Sequence, residues 1–284
     1  MFAVLTWRWD IILRSRDHKV PFNKLYVYRI IGTAINFFTP GPRVGGEPTQ
    51  ASLLTSYNVE FAEGLSTVMI DKIIDATTCG VLFILGTIIV GFQYVIPQTA
   101  KIYMIIGSVL FLIITILFYY RMLTGRHFFL SIFRFFGLDK SSKSSLKKLE
   151  AGLIRVETIM IQFYKHDKIT FLFSVLVTLL SWVVMFAEYR TATMLLGLNL
   201  GFVQLFFIIA FVGIAVLFPI PMAVGVLEAS QISAFSIIGV VGTAGVALAF
   251  LVRMKDLLFG IIGLILLAVF GINIPKTIED KYNK

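Results

Sequence analysis

The sequence predicts an all-α, polytopic helical membrane protein, and three observations lead to this prediction. The 284 residues are 58% hydrophobic and 14% charged, whereas soluble domains usually carry about 25% charged residues. Several apolar runs approach the length of about 20 residues that a helix needs to cross a bilayer. Two shorter runs stop instead at proline- and glycine-containing segments with ionisable residues nearby. Irregular backbone persists at membrane depth only inside protein or beside water, so we expect two re-entrant hairpins.

The first of these breaks spans residues 39–48, which read TPGPRVGGEP. The apolar run before it, Leu25 to Phe38, is too short to cross a bilayer as a helix. We therefore expect a hairpin with a polar site at its tip. The alternative is an ordinary cytoplasmic loop between two helices.

A second copy of this pattern lies 181 residues further along the chain. It becomes visible when each residue is paired, without gaps, with the residue 181 positions later. Apolar matches are expected by chance in so hydrophobic a chain, but rare residues also coincide. They are Pro40 with Pro221, Glu47 with Glu228, Lys72 with Arg253, and Asp75 with Asp256. Arg43 meets Val224, so the two copies are not equivalent.

The order of the apolar runs predicts that the two copies have opposite orientations. We expect one membrane domain over residues 1–284, with repeat 1 at about 23–120, a basic linker at 121–168 and repeat 2 at about 169–273. Three predicted crossings separate the two breaks, and a fourth follows: 62–92, 102–120, 169–187 and 244–270. An odd number of crossings between the copies produces an inverted repeat, as in many secondary transporters.

The formal net charge of +9 is concentrated in the linker, which holds ten Lys and Arg against four Asp and Glu. By the positive-inside rule we expect this segment on the cytoplasmic side of the cell membrane. The positive charge is explained in this way and does not indicate nucleic-acid binding. Its apolar residues recur every three or four positions, which predicts an amphipathic helix. That helix either lies on the inner leaflet or packs against another helix.

The N-terminal segment is predicted to lie at the membrane surface or to end a helix that begins earlier in relatives. Trp7 and Trp9 flank Arg8, and tryptophans are enriched at the headgroup level of membranes.

The predicted site consists of the ionisable residues in or beside apolar runs. These are Arg43, Glu47, Asp71, Lys72, Asp75, Glu228, Arg253 and Asp256. Lys72 and Asp75 are three residues apart, as are Arg253 and Asp256, so each pair shares a helix face and can neutralise itself. Together they would form a central cavity for a zwitterionic or anionic head group. Alternatively, they lie near helix ends and only fix helix packing.

Within this site, Arg43 is the best single contact for a phosphate, because a guanidinium fork matches phosphate geometry.

Enzyme signatures are weak, and no catalytic residue, metal or cofactor is predicted. The three histidines, His18, His127 and His166, lie in basic segments without metal-ligand spacing. The single cysteine, Cys79, cannot form an intramolecular disulfide. Neither a phosphate-binding loop nor a G-x-S-x-G motif is present.

The chain resembles the lysylphosphatidylglycerol synthase transmembrane-region family, also called flippase-like domain proteins. The resemblance rests on three segments: 36–47 (NFFTPGPRVGGE), 71–75 (DKIID) and 219–228 (PIPMAVGVLE). This chain has Asp71-Lys72 where the family usually has Asp-Arg, and Met222-Ala223-Val224 where the family is glycine-rich.

The resemblance implies a membrane protein whose partners are membrane lipids and which moves a phospholipid or polyprenyl-linked lipid between leaflets. In larger relatives this region is fused to an aminoacyl-transferase or glycosyltransferase domain. A second hypothesis is therefore a membrane subunit that presents lipid to a separate transferase or synthetase. A third is an ion-coupled solute transporter that uses Glu47 or Glu228 as proton carrier.

Overall fold

The computed structural model describes residues 1–39, 45–93, 98–138, 144–217 and 225–270. Over these ranges the chain is helical and contains no strand. The helices are α1 (Phe2–Arg14), α2 (Phe22–Phe38), α3 (Gly46–Leu54), α4 (Phe61–Gln93), α5 (Gln98–Thr124), α6 (Phe129–Phe135), α7 (Ser144–His166), α8 (Lys168–Leu195), α9 (Phe202–Leu217), α10 (Val226–Ile237) and α11 (Gly242–Phe270), with a 3₁₀ turn at Thr55–Tyr57.

Within the described ranges, three helices are long and apolar enough to cross a membrane, and they coincide with three of the predicted crossings. They run over Phe61–Ile89, Lys101–Thr124 and Lys168–Leu195. The fourth predicted crossing is also a long helix, α11, but Arg253, Lys255 and Asp256 interrupt its apolar sequence. Large apolar side chains on α5 and α8 are exposed, among them Ile106 and Leu172, as expected for helices that face lipid.

Residues 40–44 and 218–224 lie outside the described residues, and so do the predicted hairpin tips at Pro40–Val44 and Pro219–Pro221. The helices on either side of each gap pack against each other, α2 against α3 and α9 against α10. In the first pair, the Gly46 amide donates to Asn36 Oδ1 at 2.8 Å. In the second, Ser230 Oγ donates to the Phe211 carbonyl at 2.8 Å.

Two short helices begin with an acidic residue in the first turn, where the helix dipole favours negative charge. Glu47 lies in the first turn of α3, and Glu228 in that of α10. The Glu228 side chain also accepts a hydrogen bond from the Gly225 amide at 2.8 Å, which is one half of a capping box.

The core consists of three clusters of buried apolar side chains. One joins α8, α9, α10 and α11 around Phe207 and Phe235. A second joins α4, α5 and α7 around Ile70 and Met160. The third joins α1, α2, α3 and α4 around Trp9.

The amphipathic helix predicted in the linker is α7, and its two halves differ. In the second half, Val156, Met160 and Phe163 are buried against α4 and α5, so this half packs against other helices. In the first half, Leu149 is exposed, and contact of this half with the inner leaflet remains a prediction.

Candidate functional site

A cluster of four charged side chains lies where α1, α2, α4 and α8 meet. Arg8 Nε donates to Asp71 Oδ1 at 2.6 Å, and Arg8 Nη1 donates to Asp75 Oδ1 at 3.1 Å and to Thr178 Oγ1 at 2.8 Å. Arg29 Nη2 donates to the second carboxylate oxygen of Asp71 at 3.0 Å. Two positive and two negative groups therefore balance, which is the condition for keeping charges in an apolar interior.

The depth of these groups differs, and the difference divides the cluster into a buried and an accessible part. Arg8, Arg29 and Asp71 are at most 6% exposed. The Asp75 side chain is 44% exposed, although it shares Arg8 with Asp71. The buried part fixes the geometry of the site, and the accessible part can meet a ligand.

Aromatic and backbone groups complete the buried part. The Arg29 guanidinium carbon lies 5.6 Å from the centroid of the Trp9 ring, within the range of a cation–π interaction. Arg29 Nη2 also donates to the Leu5 carbonyl at 2.7 Å, and Trp9 Nε1 donates to Thr67 Oγ1 at 3.2 Å. These contacts hold α1 and α2 against α4.

A second accessible pair lies next to this cluster, because Lys72 directly follows Asp71 on α4. Lys72 Nζ is 3.6 Å from Glu47 Oε1, and the two side chains are 42% and 13% exposed. Glu47 also accepts a hydrogen bond from Asn36 Nδ2 at 2.8 Å. Lys72 is accessible enough to contact a ligand, while the less exposed Glu47 keeps the hydrogen bond from Asn36.

The pairing predicted within α4 is wrong. Lys72 and Asp75 share a helix face, but each has a partner from another helix, Glu47 of α3 and Arg8 of α1 respectively. Partners from other helices reach these side chains because α1 and α3 pack against α4. Asp71, Lys72, Asp75 and Glu47 are thereby brought into one site.

The second half of the chain contains a corresponding group of charges between α8, α10 and α11. Arg253 forms an ion pair with Glu228, and its Nη2 donates to Glu228 Oε2 at 2.8 Å. Lys255 pairs with Glu188 of α8. Asp256 lies one helical turn beyond Arg253, also in α11. Arg43, the predicted phosphate contact, lies outside the described residues.

Neither Arg8 nor Arg29 is among the site residues predicted from the sequence, and Arg8 is buried inside the protein. In the structure Arg8 and Trp9 are 1% exposed, because Asp71 and Asp75 draw the arginine inward. A signal was available for Arg29, which interrupts the apolar run that begins at Leu25. An arginine in such a run requires an acidic partner, and Asp71 lies in the next apolar run.

The family model described as the lysylphosphatidylglycerol synthase TM region matches residues 1–263. The chain belongs to this family. It is an integral membrane protein, as the family and its long apolar helices indicate. The resemblance given by the three sequence segments is therefore confirmed.

Similar proteins occur in several archaea. A UPF0104 membrane protein of Pyrococcus horikoshii is 26% identical over 268 residues, which cover 89% of this chain and 78% of the relative. A UPF0104 membrane protein of Methanocaldococcus jannaschii is 31% identical over 97 residues, 32% of this chain and 29% of the relative. One of Methanothermobacter thermautotrophicus is 34% identical over 76 residues, 26% of this chain and 22% of the relative. No solved structure matches the chain.

Proposed function

We propose that this protein binds the head group of a phospholipid or polyprenyl-linked lipid at its charged site and moves the lipid between leaflets. The observation that carries the proposal is the position of Lys72 and Asp75. Both are accessible, at 42% and 44% side-chain exposure, yet they lie beside the buried Arg8, Arg29 and Asp71. A zwitterionic head group would place its phosphate on Lys72 and its cation on Asp75.

The division between buried and accessible charges favours transport over simple anchoring. Arg8 and Asp71 stay paired when Asp75 turns to a ligand, because Arg8 Nε binds Asp71 while only Nη1 reaches Asp75. Asp71 therefore stays paired with both arginines during exchange, while the partly exposed Asp75 meets the ligand. A cluster of charged side chains that only stabilised helix packing would not need partly exposed side chains such as Lys72 and Asp75.

An inverted repeat would give each leaflet an equivalent site, and three correspondences support it. The same shift of 181 residues brings α2 onto α9, α3 onto α10 and α4 onto α11 with starts that agree within one residue. It also brings the Glu47–Lys72 ion pair onto Glu228–Arg253. Finally, the packing is reciprocal, since α2 contacts α11 and α9 contacts α4. Two such halves in opposite orientations match the alternating-access design of secondary transporters.

The direct test is lipid movement in vesicles that contain only the purified protein. A fluorescent phospholipid is placed in both leaflets, and an impermeant quencher added outside reports how fast the inner pool becomes accessible. We expect wild type to move lipid faster than protein-free vesicles. Lys72→Gln and Arg253→Gln, one in each half, should each slow movement about tenfold or more. Arg155→Gln is the matched control, because Arg155 lies on α7 and pairs with Glu60.

The outcome that contradicts the proposal is movement at the protein-free rate for anionic, zwitterionic and polyprenyl-linked lipids alike. Saturable lipid binding without movement would favour the second hypothesis, a subunit that presents lipid to a separate transferase. Arg43→Ala tests the phosphate contact predicted from the sequence in the same vesicles.

A further inference from the structure

A cavity of about 590 Å³ lies between the second half of α8 and the start of α9. Its walls include Phe186, Arg190, Asn199, Leu200, Phe202 and Leu205. Arg190 is about 33 Å along α8 from Lys168, at 1.5 Å per residue. Because Lys168 follows α7 directly, the cavity lies at the end of the bundle away from the basic α7. It shares no residue with the charged site described above.

Arg190 is the one ionisable residue among the lining residues in the described part of the chain. It donates through Nη1 to the Leu200 carbonyl and through Nη2 to Asn199 Oδ1 at 2.9 Å. Both acceptors are neutral, so these bonds orient the guanidinium without cancelling its charge. They use two of the five N–H donors of an arginine, and three are left for a ligand.

The nearest acidic residue in the sequence does not neutralise Arg190. Glu188 pairs with Lys255 of α11, and residues two apart on a helix do not face each other. Within the ranges that the structure describes, no carboxylate forms an ion pair with Arg190. The cavity therefore presents an uncompensated positive charge held in a fixed orientation.

Aromatic rings form the other part of the wall. The rings of Phe186 and Phe202 stack with centroids 4.8 Å apart and an angle of 20° between their planes. Phe202 is nevertheless 72% exposed. Leu195, which ends α8, is 78% exposed. A fixed cation beside exposed apolar surface fits a ligand with an anionic head and a hydrocarbon chain.

We propose that this cavity is a binding site for an anionic phospholipid from the leaflet away from α7. The Arg190 guanidinium binds the phosphate in bidentate fashion, the geometry that arginine favours. The first hydrocarbon segment of the lipid lies against Phe186 and Phe202. This site is separate from the charged site in the first half and does not depend on transport.

Equilibrium binding to the full-length protein tests the proposal. The protein is purified in detergent, and native mass spectrometry counts bound dioctanoyl phosphatidylglycerol, dioctanoyl phosphatidylcholine or inorganic phosphate during titration. We expect a saturable phosphatidylglycerol site in addition to any binding at the charged site of the first half. Arg190→Gln should weaken that binding about tenfold or more, since hydrogen bonds to a charged group are lost. Arg190→Lys keeps the charge and should weaken it less, and Phe202→Ala should also weaken it.

Arg155→Gln removes one arginine from α7 and serves as the matched control, with binding expected at the wild-type level. Hydrogen–deuterium exchange at residues 196–201 of each variant shows whether this turn still folds. Equal loss of binding in the Arg155 and Arg190 variants, or lipid binding that never saturates, would overturn the proposal. Inorganic phosphate that displaces the lipid at equal concentration would assign the site to a free anion instead. Loss of transport in the vesicle assay would leave this binding result unchanged.

Discussion

At the scale of single residues, Arg8 is the side chain on which the charged site depends. It is 1% exposed and is the shared partner of Asp71 and Asp75. Taking these groups out of water is costly, and the cost is recovered only while each keeps its partner. The pairs are therefore weak evidence for added stability, but removing one partner should be severe.

Arg8→Ala is expected to destabilise the protein by about 1.5–3 kcal/mol, because Asp71 keeps Arg29 but loses the charge-assisted hydrogen bond from Arg8 to its other oxygen. Thermal or denaturant unfolding of the purified protein in detergent measures the loss. Arg155→Ala is the control, because Arg155 and its partner Glu60 are both more than half exposed; it should unfold like wild type. Equal stability of both variants would show that Arg8 does not hold the site together.

The ionisable site residues within apolar runs were predictable from the sequence. The residues with which they form ion pairs were not. Asp71, Lys72 and Asp75 stand out because charge is rare in an apolar helix. The hydrogen bond from Arg8 to Asp71 spans 63 residues, and that from Arg29 to Asp71 spans 42. Such pairs depend on how whole helices pack, which local periodicity does not specify.

At the scale of helices, one buried carboxylate binds the first amides of α6. Glu157 of α7 is fully buried. It accepts hydrogen bonds from the amides of Phe128, Phe129 and Leu130 at 2.8, 2.6 and 3.0 Å. These amides begin α6 and have no partner within the helix. Glu157 thus ties the short helix to α7.

Glu157→Gln should release the start of α6. The glutamine offers one acceptor oxygen and no charge, so charge-assisted bonds worth about 1.5–3 kcal/mol are weakened. Hydrogen–deuterium exchange should then accelerate about 10-fold or more at residues 128–130, since 1.4 kcal/mol corresponds to a factor of ten. Glu150→Gln is the control, because Glu150 pairs with the exposed Arg134. Unchanged protection at 128–130 would rule out this role.

Close packing of α2 and α11 depends on Gly263. A Cβ at this position would lie 2.7 Å from the Ile30 carbonyl oxygen and would also collide with the Ala34 methyl group. The backbones can approach because a small residue faces the contact, as is common between membrane helices. This contact joins one helix of each half of the chain.

Gly263→Val should therefore cost about 1–3 kcal/mol of stability through overpacking and lower the yield of folded protein. Gly107→Val is the matched control in α5, because a Cβ there meets nothing within 4 Å. Unfolding in detergent compares the two. A Gly263 variant as stable as the Gly107 variant would mean that the helices can separate without cost.

The helices themselves were largely predictable, because long apolar runs become helices in a membrane. The predicted crossings at 62–92, 102–120 and 169–187 lie within α4, α5 and α8. The packing of α7 was left open by its sequence, since an amphipathic face serves a lipid surface and a protein surface equally well. The structure buries Met160 and leaves Leu149 exposed.

At the scale of the whole molecule, the proposed transport of lipid requires that the two halves of the chain have opposite orientations in the membrane. The Arg155–Glu60 ion pair, at 2.6 Å, connects the basic α7 to the start of α4. With α4, α5 and α8 as crossings and α9–α10 as the proposed re-entrant hairpin, the start of α4 would lie on the side of α7 and the start of α11 on the other side. The two charged groups would then face opposite leaflets, as transport between them requires.

Labelling of single cysteines from each side of the membrane tests this claim most directly. In a Cys79→Ser background, Ser56→Cys marks the exposed turn before α4 and Val241→Cys marks the exposed turn before α11. Ser145→Cys, in the exposed first turn of α7, is the reference for the α7 side. A membrane-impermeant maleimide is applied to right-side-out and to inside-out vesicles. We predict that Ser56→Cys reacts from the same side as Ser145→Cys and that Val241→Cys reacts from the opposite side; reaction of all three from one side would contradict the inverted arrangement.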